Sequence, residues 1–184
     1  TYFYSNGDKY TGEWKADMMH GKGIYEFKNG DKYEGEYSVG ERTGQGIFIY
    51  ADKRKYIGQF KNGLMNGFGA YSWPDGSKYE GYWTDDKQNG RGKFISSTGD
   101  SYDGEWTNGM MNGEGVLRLA DGTKFKGFFK NGLRHGKCIE ESKEGIRFEG
   151  TYKEDKRDGA YTERDKDGNI IRQGFYKNGY LESK

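Results

Sequence analysis

Residues 33–46 read YEGEYSVGERTGQG, and the alternation in their first five positions decides the fold. Tyr33, Gly35 and Tyr37 fall on one face of an extended strand, with Lys32, Glu34 and Glu36 on the other, the period-2 signature of a half-buried strand. A glycine on the inward face leaves room for a neighbouring ring. Starting at Gly12 and stepping by 23 residues gives Gly35, Gly58, Gly81, Gly104, Gly127 and Gly150. An aromatic stands two residues before each (Tyr10, Tyr33, Tyr56, Tyr79, Tyr102, Phe125, Phe148) and another two after (Trp14, Tyr37, Phe60, Trp83, Trp106, Phe129, Tyr152). Seven registers without a gap are a structural repeat.

Each repeat reads as a β-hairpin. The first strand is followed by a loop, KNGLMNG at 61–67 in one unit, with Gly and Asn where positive φ is expected. A second strand such as GIYEF at 23–27 comes next, and turns such as NGD (29–31) and DGS (75–77) lead into the following unit. The predicted fold is all-β: an elongated, single-layer antiparallel β-meander of 23-residue hairpin repeats, in which each unit contacts only its neighbours. Two strands per unit at about 4.8 Å each advance roughly 10 Å, so about eight units would make a rod on the order of 75 Å long. Residues 1–184 read as one array, with a partial unit at 1–5, units from about 6, 29, 52, 75, 98, 121 and 144, and a degenerate partial unit at 167–184.

Composition fits a narrow core. Only 32% of the 184 residues are hydrophobic and 32% are charged, yet 17% are aromatic, a content that disordered chains lack. The 30 basic and 29 acidic residues balance to a net charge of +1, which argues against nucleic acid as a partner. One cysteine cannot form an intramolecular disulfide, and no stretch has the apolar length of a membrane span. An intracellular, soluble protein is the simplest reading. The start, TYFYS, has no apolar leader core but also no initiating Met, which leaves a removed targeting segment open.

The segments YEGEYSVGERTGQG, YEGYWTDDKQNGRG and YDGEWTNGMMNGEG resemble the MORN repeat (membrane occupation and recognition nexus), with its Y-x-G-x-W, mid-repeat Gly and H/N-G-x-G pattern. The resemblance covers essentially the whole chain. It implies the hairpin fold and leaves function wide. Such arrays accompany lipid kinases and methyltransferases, axonemal spokes and junctional membrane tethers, and form nearly pure arrays in protist cytoskeletons, including apicomplexan division structures. The near-pure array here is most similar to the last group.

The two ends of the chain depart from the pattern. TYFYS aligns with GIYEFK, so the chain opens on the second strand of a unit, as a piece of a longer array would, with an unpaired first edge. Toward the other end, the mid-repeat G-x-G of the first five units becomes Gly136/Cys138 and then Gly159/Tyr161. The last half-unit, DGNIIRQGFYKNGYLESK, spaces its glycines one residue wider, which predicts a bulge. It also carries Ile170, Ile171, Phe175, Tyr176, Tyr180 and Leu181. Terminal repeats should be polar caps; this apolar set is read as a homodimer interface.

Cys138 follows His135 by three residues in LRHGKCIEE. His20 fills the same slot in the first unit, and the family often has His there, so His135 alone implies no ligand role. Structural zinc takes four ligands, and with two His and one Cys only a homodimer could assemble them, each chain lending His135 and Cys138 about a two-fold axis. Either this pair holds a shared zinc or Cys138 is a packed thiol. A second feature is a line of apolar loop residues, Met18 and Met19, Leu64 and Met65, Met110 and Met111, with Leu133 following, readable as a partner surface or as packing of each loop on its own hairpin.

Lipid binding finds thin support. The densest basic cluster, Lys53 to Lys55, follows Asp52, and the ladder Lys9, Lys32, Lys55, Lys78, Lys124 is interleaved with Glu13, Glu36 and Glu105. Electrostatic membrane anchoring reads as about four to eight clustered basics. Nothing looks catalytic: Asp85-Asp86 and Glu140-Glu141 lack a His/Ser or His/Cys partner set, and GKG (21–23) and GRG (90–92) are repeat turns outside any strand-loop-helix context. The expected function is a non-enzymatic, cytoplasmic scaffold associated with the cytoskeleton, dimeric through its C-terminal repeats and binding cytoskeletal proteins along its faces. The alternatives are a peripheral tether with weak contact to anionic lipid at the membrane periphery, and a targeting arm of a larger enzyme.

Overall fold

A computed structural model describes residues 1–182. Among the described residues all regular elements are β-strands. Packing divides the chain into two units, Thr1–Gly90 and Arg91–Lys184. The first contains β1 (Tyr2–Phe3), β2 (Lys9–Lys15), β3 (Met18–Glu26), β4 (Lys32–Ser38), β5 (Glu41–Ile49), β6 (Lys55–Lys61), β7 (Leu64–Ser72) and β8 (Lys78–Thr84), with β9 (Lys87–Ile95) crossing the boundary. The second contains β10 (Ser101–Thr107), β11 (Met110–Arg118), β12 (Lys124–Lys130), β13 (Leu133–Glu141), β14 (Arg147–Lys153), β15 (Lys156–Arg157), β16 (Gly159–Arg164), β17 (Ile170–Lys177) and β18 (Tyr180–Leu181). Within each unit the strands pair antiparallel with their sequence neighbours, except that β14 pairs with both β15 and β16. The fold is the open antiparallel meander that the repeat predicts.

The glycines of the repeat are explained by one ring. Tyr33 is 0% exposed and lies across both Gly35 and its cross-strand partner Gly46. Its hydroxyl donates to the Glu36 carbonyl at 3.1 Å. That carbonyl sits at a β-bulge, where the register shifts between Gly35 and Glu36, and a bulge leaves backbone groups without ladder partners. Tyr10, Tyr56 and Tyr102 repeat the arrangement, donating to the carbonyls of Glu13, Gln59 and Glu105. The bulge residue's side chain closes the other half: Glu13, Glu36 and Gln59 accept from the backbone N–H of Lys22, Gln45 and Phe68, over Gly21, Gly44 and Gly67, all at positive φ. Each buried ring then meets the next aromatics edge-on, as Tyr33 meets Tyr37 and Phe60 at 5.2 and 5.0 Å. Such pairs contribute about 0.5–1.5 kcal/mol each beyond burial.

The connections differ from the expectation. Residues 61–67 are not a loop: Asn62 and Gly63 alone form the turn, at φ 50° and 77°, and β7 begins at Leu64. Two positive φ values make a two-residue turn whose twist matches that of the strands. The links between repeats are the looser ones. Gly30 N–H donates to Phe27 O at 3.0 Å and Phe27 N–H to Asp31 O at 2.9 Å, a turn completed by a positive-φ glycine. The bulge expected in the last half-unit is present, with Glu163 opposite Arg172 and Arg164 opposite Ile170, so Ile171 is skipped.

Candidate functional site

The second unit departs most from the repeat, and its core face shows how. Phe125 and Phe148 replace tyrosine at the ring position, and Cys138 and Tyr161 replace the second-strand glycine. The two changes go together because a tyrosine tip needs the bare backbone that a second side chain fills. Cys138 is 7% exposed, between Gly127 and Gly150, and burial above all pushes its thiol up to about 12. His135 pairs with Phe128, on the face opposite the buried Phe125 and Phe129, whereas Cys138 pairs with Gly127 on the core face. Within one chain the strand therefore places His135 and Cys138 on opposite faces. Among the described residues there is no cluster of three or more His, Cys, Asp or Glu that could hold a metal ion.

Beside Cys138 the core face carries charges held among rings. The Arg157 guanidinium lies 3.9 Å from the Phe148 ring centroid and 5.5 Å from that of Tyr176. It reaches Glu140 at 3.4 Å and Glu163 at 3.5 Å. Arg134 stacks on Tyr152 at 4.5 Å and pairs with Asp155 at 2.9 Å, while the Tyr152 hydroxyl donates to Glu140 at 2.5 Å. Burial, with the Glu140 carboxylate beside it, pushes the Tyr152 phenol up to about 12. These charges are satisfied by one another, which is what lets polar strands such as CIEES and YTERD pack where aromatics stand in the first unit.

Of the six residues read as an interface, Ile170, Ile171, Phe175, Tyr180 and Leu181 are exposed, Tyr180 at 80%. Tyr176 is not: it packs 4.7 Å from Tyr161 and belongs to the core face. The methionine line is also relocated. Met18, Leu64 and Met110 open strands β3, β7 and β11 and are exposed, while Met19 and Met111 are half-buried and Met65 is buried. Because the turn is only two residues long, the second residue of each pair faces the core. These pairs do not line a loop.

Two rungs of the lysine ladder are closed by carboxylates, one across the strand pair and one on the same strand. Lys9 pairs with Glu26 at 2.6 Å and Lys32 reaches Glu34 at 3.5 Å, and Arg54 of the KRK cluster is held by Asp52 at 2.7 Å and stacks on Tyr50. Glu13 and Glu36 are engaged at the bulges rather than with lysines. Among the described residues no helix is long and apolar enough to cross a membrane.

The outer face of the second unit holds the feature that the sequence reading missed, an open groove of about 1230 Å³. Its floor includes Val116, Phe128 and Ile139, and Arg118, Lys126 and Arg147 stand along it. Phe128 is 48% exposed. The signal was available in period-2 form: these residues alternate with the core positions Leu117, Phe129 and Cys138.

Seven MORN-repeat matches cover residues 10–32, 33–53, 56–78, 79–101, 102–124, 125–147 and 148–160, each starting on the aromatic that caps its glycines. A search of curated protein sequences returns no significant match. Among solved structures, the TCP domain of SAS-4 (dCPAP) from Drosophila melanogaster, in complex with a proline-rich motif of Ana2 (dSTIL), is similar with a TM-score of 0.55 at 11% identity, covering 92% of this chain and 90% of that one. The TCP10c domain of Drosophila melanogaster Sas-4 gives 0.52 at 12% identity, over 92% and 99%. The G-box domain of the microcephaly protein CPAP gives 0.50 at 15%, over 96% and 97%. At such identities the likeness is one of fold. The repeat matches carry more: with them across most of its length, the chain belongs to the MORN-repeat family.

Proposed function

We propose that the protein is a non-enzymatic scaffold of a cytoskeleton-associated assembly, which self-associates through β17 and β18 and holds protein partners on the outer face of its sheet. The observation that carries this reading is the contrast between the two faces. On the core face, rings, arginines and carboxylates are engaged with one another. The outer face exposes Ile57, Phe68 and Tyr82 in the first unit and Phe128 and Phe175 in the second, and apolar exposure of this kind marks interaction surfaces. Exposed Ile170, Ile171, Tyr180 and Leu181 support self-association at the last strands. The fold is shared with a SAS-4 domain whose structure holds a proline-rich partner motif and with a CPAP domain for which a role in centriole elongation is suggested. That likeness supports a structural role. The test is extraction of cells expressing the tagged chain with non-ionic detergent. The tag is expected in the insoluble cytoskeletal fraction, and release with the membranes would contradict the reading.

A further inference from the structure

The groove on the second unit's outer face has a charge pattern of its own. Cross-strand register places Arg118 beside Lys124, Lys124 beside Glu141, Glu141 beside Arg147 and Arg147 beside Arg164. Four of these five successive positions are basic, at about 4.8 Å per strand. Arg118 and Lys124 make no ion pair among the described residues, nor do Lys126 and Lys137 on the adjoining rows. Arg147 is held by Glu149 at 2.9 Å. Across the groove and the row, Arg91, Arg118, Lys124, Lys126, Lys137 and Arg164 are the cations without an ion pair among the described residues and Asp103, Glu114 and Glu141 the carboxylates without one, so unpaired cations exceed unpaired anions there by six to three. In the corresponding row of the first unit, Lys9, Lys32, Lys55 and Lys78 alternate with Glu26, Ile49 and Ser72, and two of those lysines are closed by carboxylates.

Beside the basic row, Val116, Phe128 and Ile139 give the groove an apolar floor. An extended chain presents alternate side chains to opposite sides, with successive same-side residues about 6.8 Å apart. Long arginine and lysine side chains one and two strands apart span that spacing. We propose that the second unit's outer face docks an extended acidic peptide segment, its Asp and Glu side chains on the row formed by Arg118, Lys124, Arg147 and Arg164 and its interleaved apolar side chains on Val116, Phe128 and Ile139. The inference rests on the scaffold reading and adds the chemistry of the partner. Charge complementarity distinguishes this occupant from a neutral or basic one, and the apolar floor distinguishes it from a bare polyanion.

The test is selection of random twelve-residue peptides displayed on phage against the purified full chain, followed by anisotropy titration of the enriched peptides. The expected peptides are acidic with apolar residues at alternate positions. Their affinity should fall with added salt and drop by about tenfold or more in the Arg118→Glu/Lys124→Glu/Arg147→Glu variant, while the Lys55→Glu/Lys78→Glu variant of the first unit binds as wild type. Matching thermal midpoints show that the variants are folded; should the triple variant unfold, Phe128→Ser replaces it with the same expected loss. Enrichment of neutral, basic or proline-rich peptides would overturn the acidic specificity and leave the scaffold reading standing. Acidic peptides that bind the folded variants equally would remove the groove as their site. No enrichment, with the chain instead sedimenting on phosphatidylserine vesicles, would overturn both the peptide site and the scaffold reading.

Discussion

Gly46→Ala puts a methyl group where Tyr33 already lies. An ideal Cβ at position 46 would sit 2.5 Å from the Tyr33 hydroxyl oxygen, 2.6 Å from Cε2 and 2.7 Å from Cζ, about 1 Å inside ordinary carbon contact. The ring cannot simply swing away, since it is 0% exposed and is held by Tyr37 and Phe60 and by its bond to Glu36 O. Overpacking of this kind costs about 1–3 kcal/mol. Displacing the ring also breaks one hydrogen bond worth about 1 kcal/mol and loosens two edge-on ring pairs worth about 0.5–1.5 kcal/mol each. A loss of about 3–5 kcal/mol is therefore expected, read from urea denaturation followed by tryptophan fluorescence and circular dichroism. Gly174→Ala is the control: its Cβ would meet Tyr161 Cε1 at 3.2 Å and Leu181 Cδ1 and the Tyr161 hydroxyl oxygen at 3.6 Å, and its loss should stay within about 1 kcal/mol. Equal losses at the two positions, or less than about 1 kcal/mol at Gly46, would refute the ring-over-glycine account.

Three further outcomes test other parts of the structure. Val39 is a β-branched residue at φ 51° and 63% exposed in a two-residue turn; Val39→Asn should stabilise by about 1 kcal/mol in the same urea series, and destabilisation would mean that the valine has a packing role. Cys138, buried and with its thiol pushed up to about 12, should react with Ellman's reagent only after denaturation, and prompt reaction of the native protein would contradict its burial. Burial pushes the Tyr33 and Tyr102 phenols up to about 12 from an ordinary value of 10.0. Their folded pKa is raised and it is the neutral form that the fold favours, so their stabilisation is complete below pH 10 and is lost as pH rises from there toward 12. Denaturation midpoints should fall across that window, and the fall should be smaller in the Tyr33→Phe/Tyr102→Phe variant, whose two rings cannot ionise. An undiminished fall in that variant would sink this assignment.

Much of the fold was legible because one 23-residue period repeats seven times and the inward residues are rings and glycines. Tyr33, Gly35 and Tyr37 announce the strand, and the room left by Gly35 announces a ring. That the ring belongs to the same strand and covers the opposite strand's Gly46 as well follows from the bulge at Glu36, which has no residue signature of its own. The turn at 16–17 was hidden for a different reason: Ala16 and Asp17 take positive φ without the Asn-Gly pair that marks Asn62-Gly63. Extending the Asn62-Gly63 turn into a loop over 61–67 moved Met65, and by the same repeat Met19 and Met111, off the core face. The separation of His135 from Cys138 was legible and passed over, because three steps along a strand change face and the two residues taken up between them at the bulge keep that parity. Tyr176 stands in the interface set because its neighbours in sequence are apolar; alternation puts it with Gly174 on the core face. The groove went unread because its basic row is made by register between strands, with Arg118, Lys124 and the Arg147/Arg164 pair on three successive repeats, and no short stretch of sequence shows them together.

Native mass spectrometry of the purified chain over a range of concentrations tests the scaffold claim most directly. A subunit of 21.1 kDa that self-associates through β17 and β18 gives a two-chain species at twice that mass, and Phe175→Glu/Leu181→Glu, which places charges on the exposed last strands, returns it to one subunit. A single-subunit mass at the highest concentrations, or a dimer that survives the double substitution, would contradict the account.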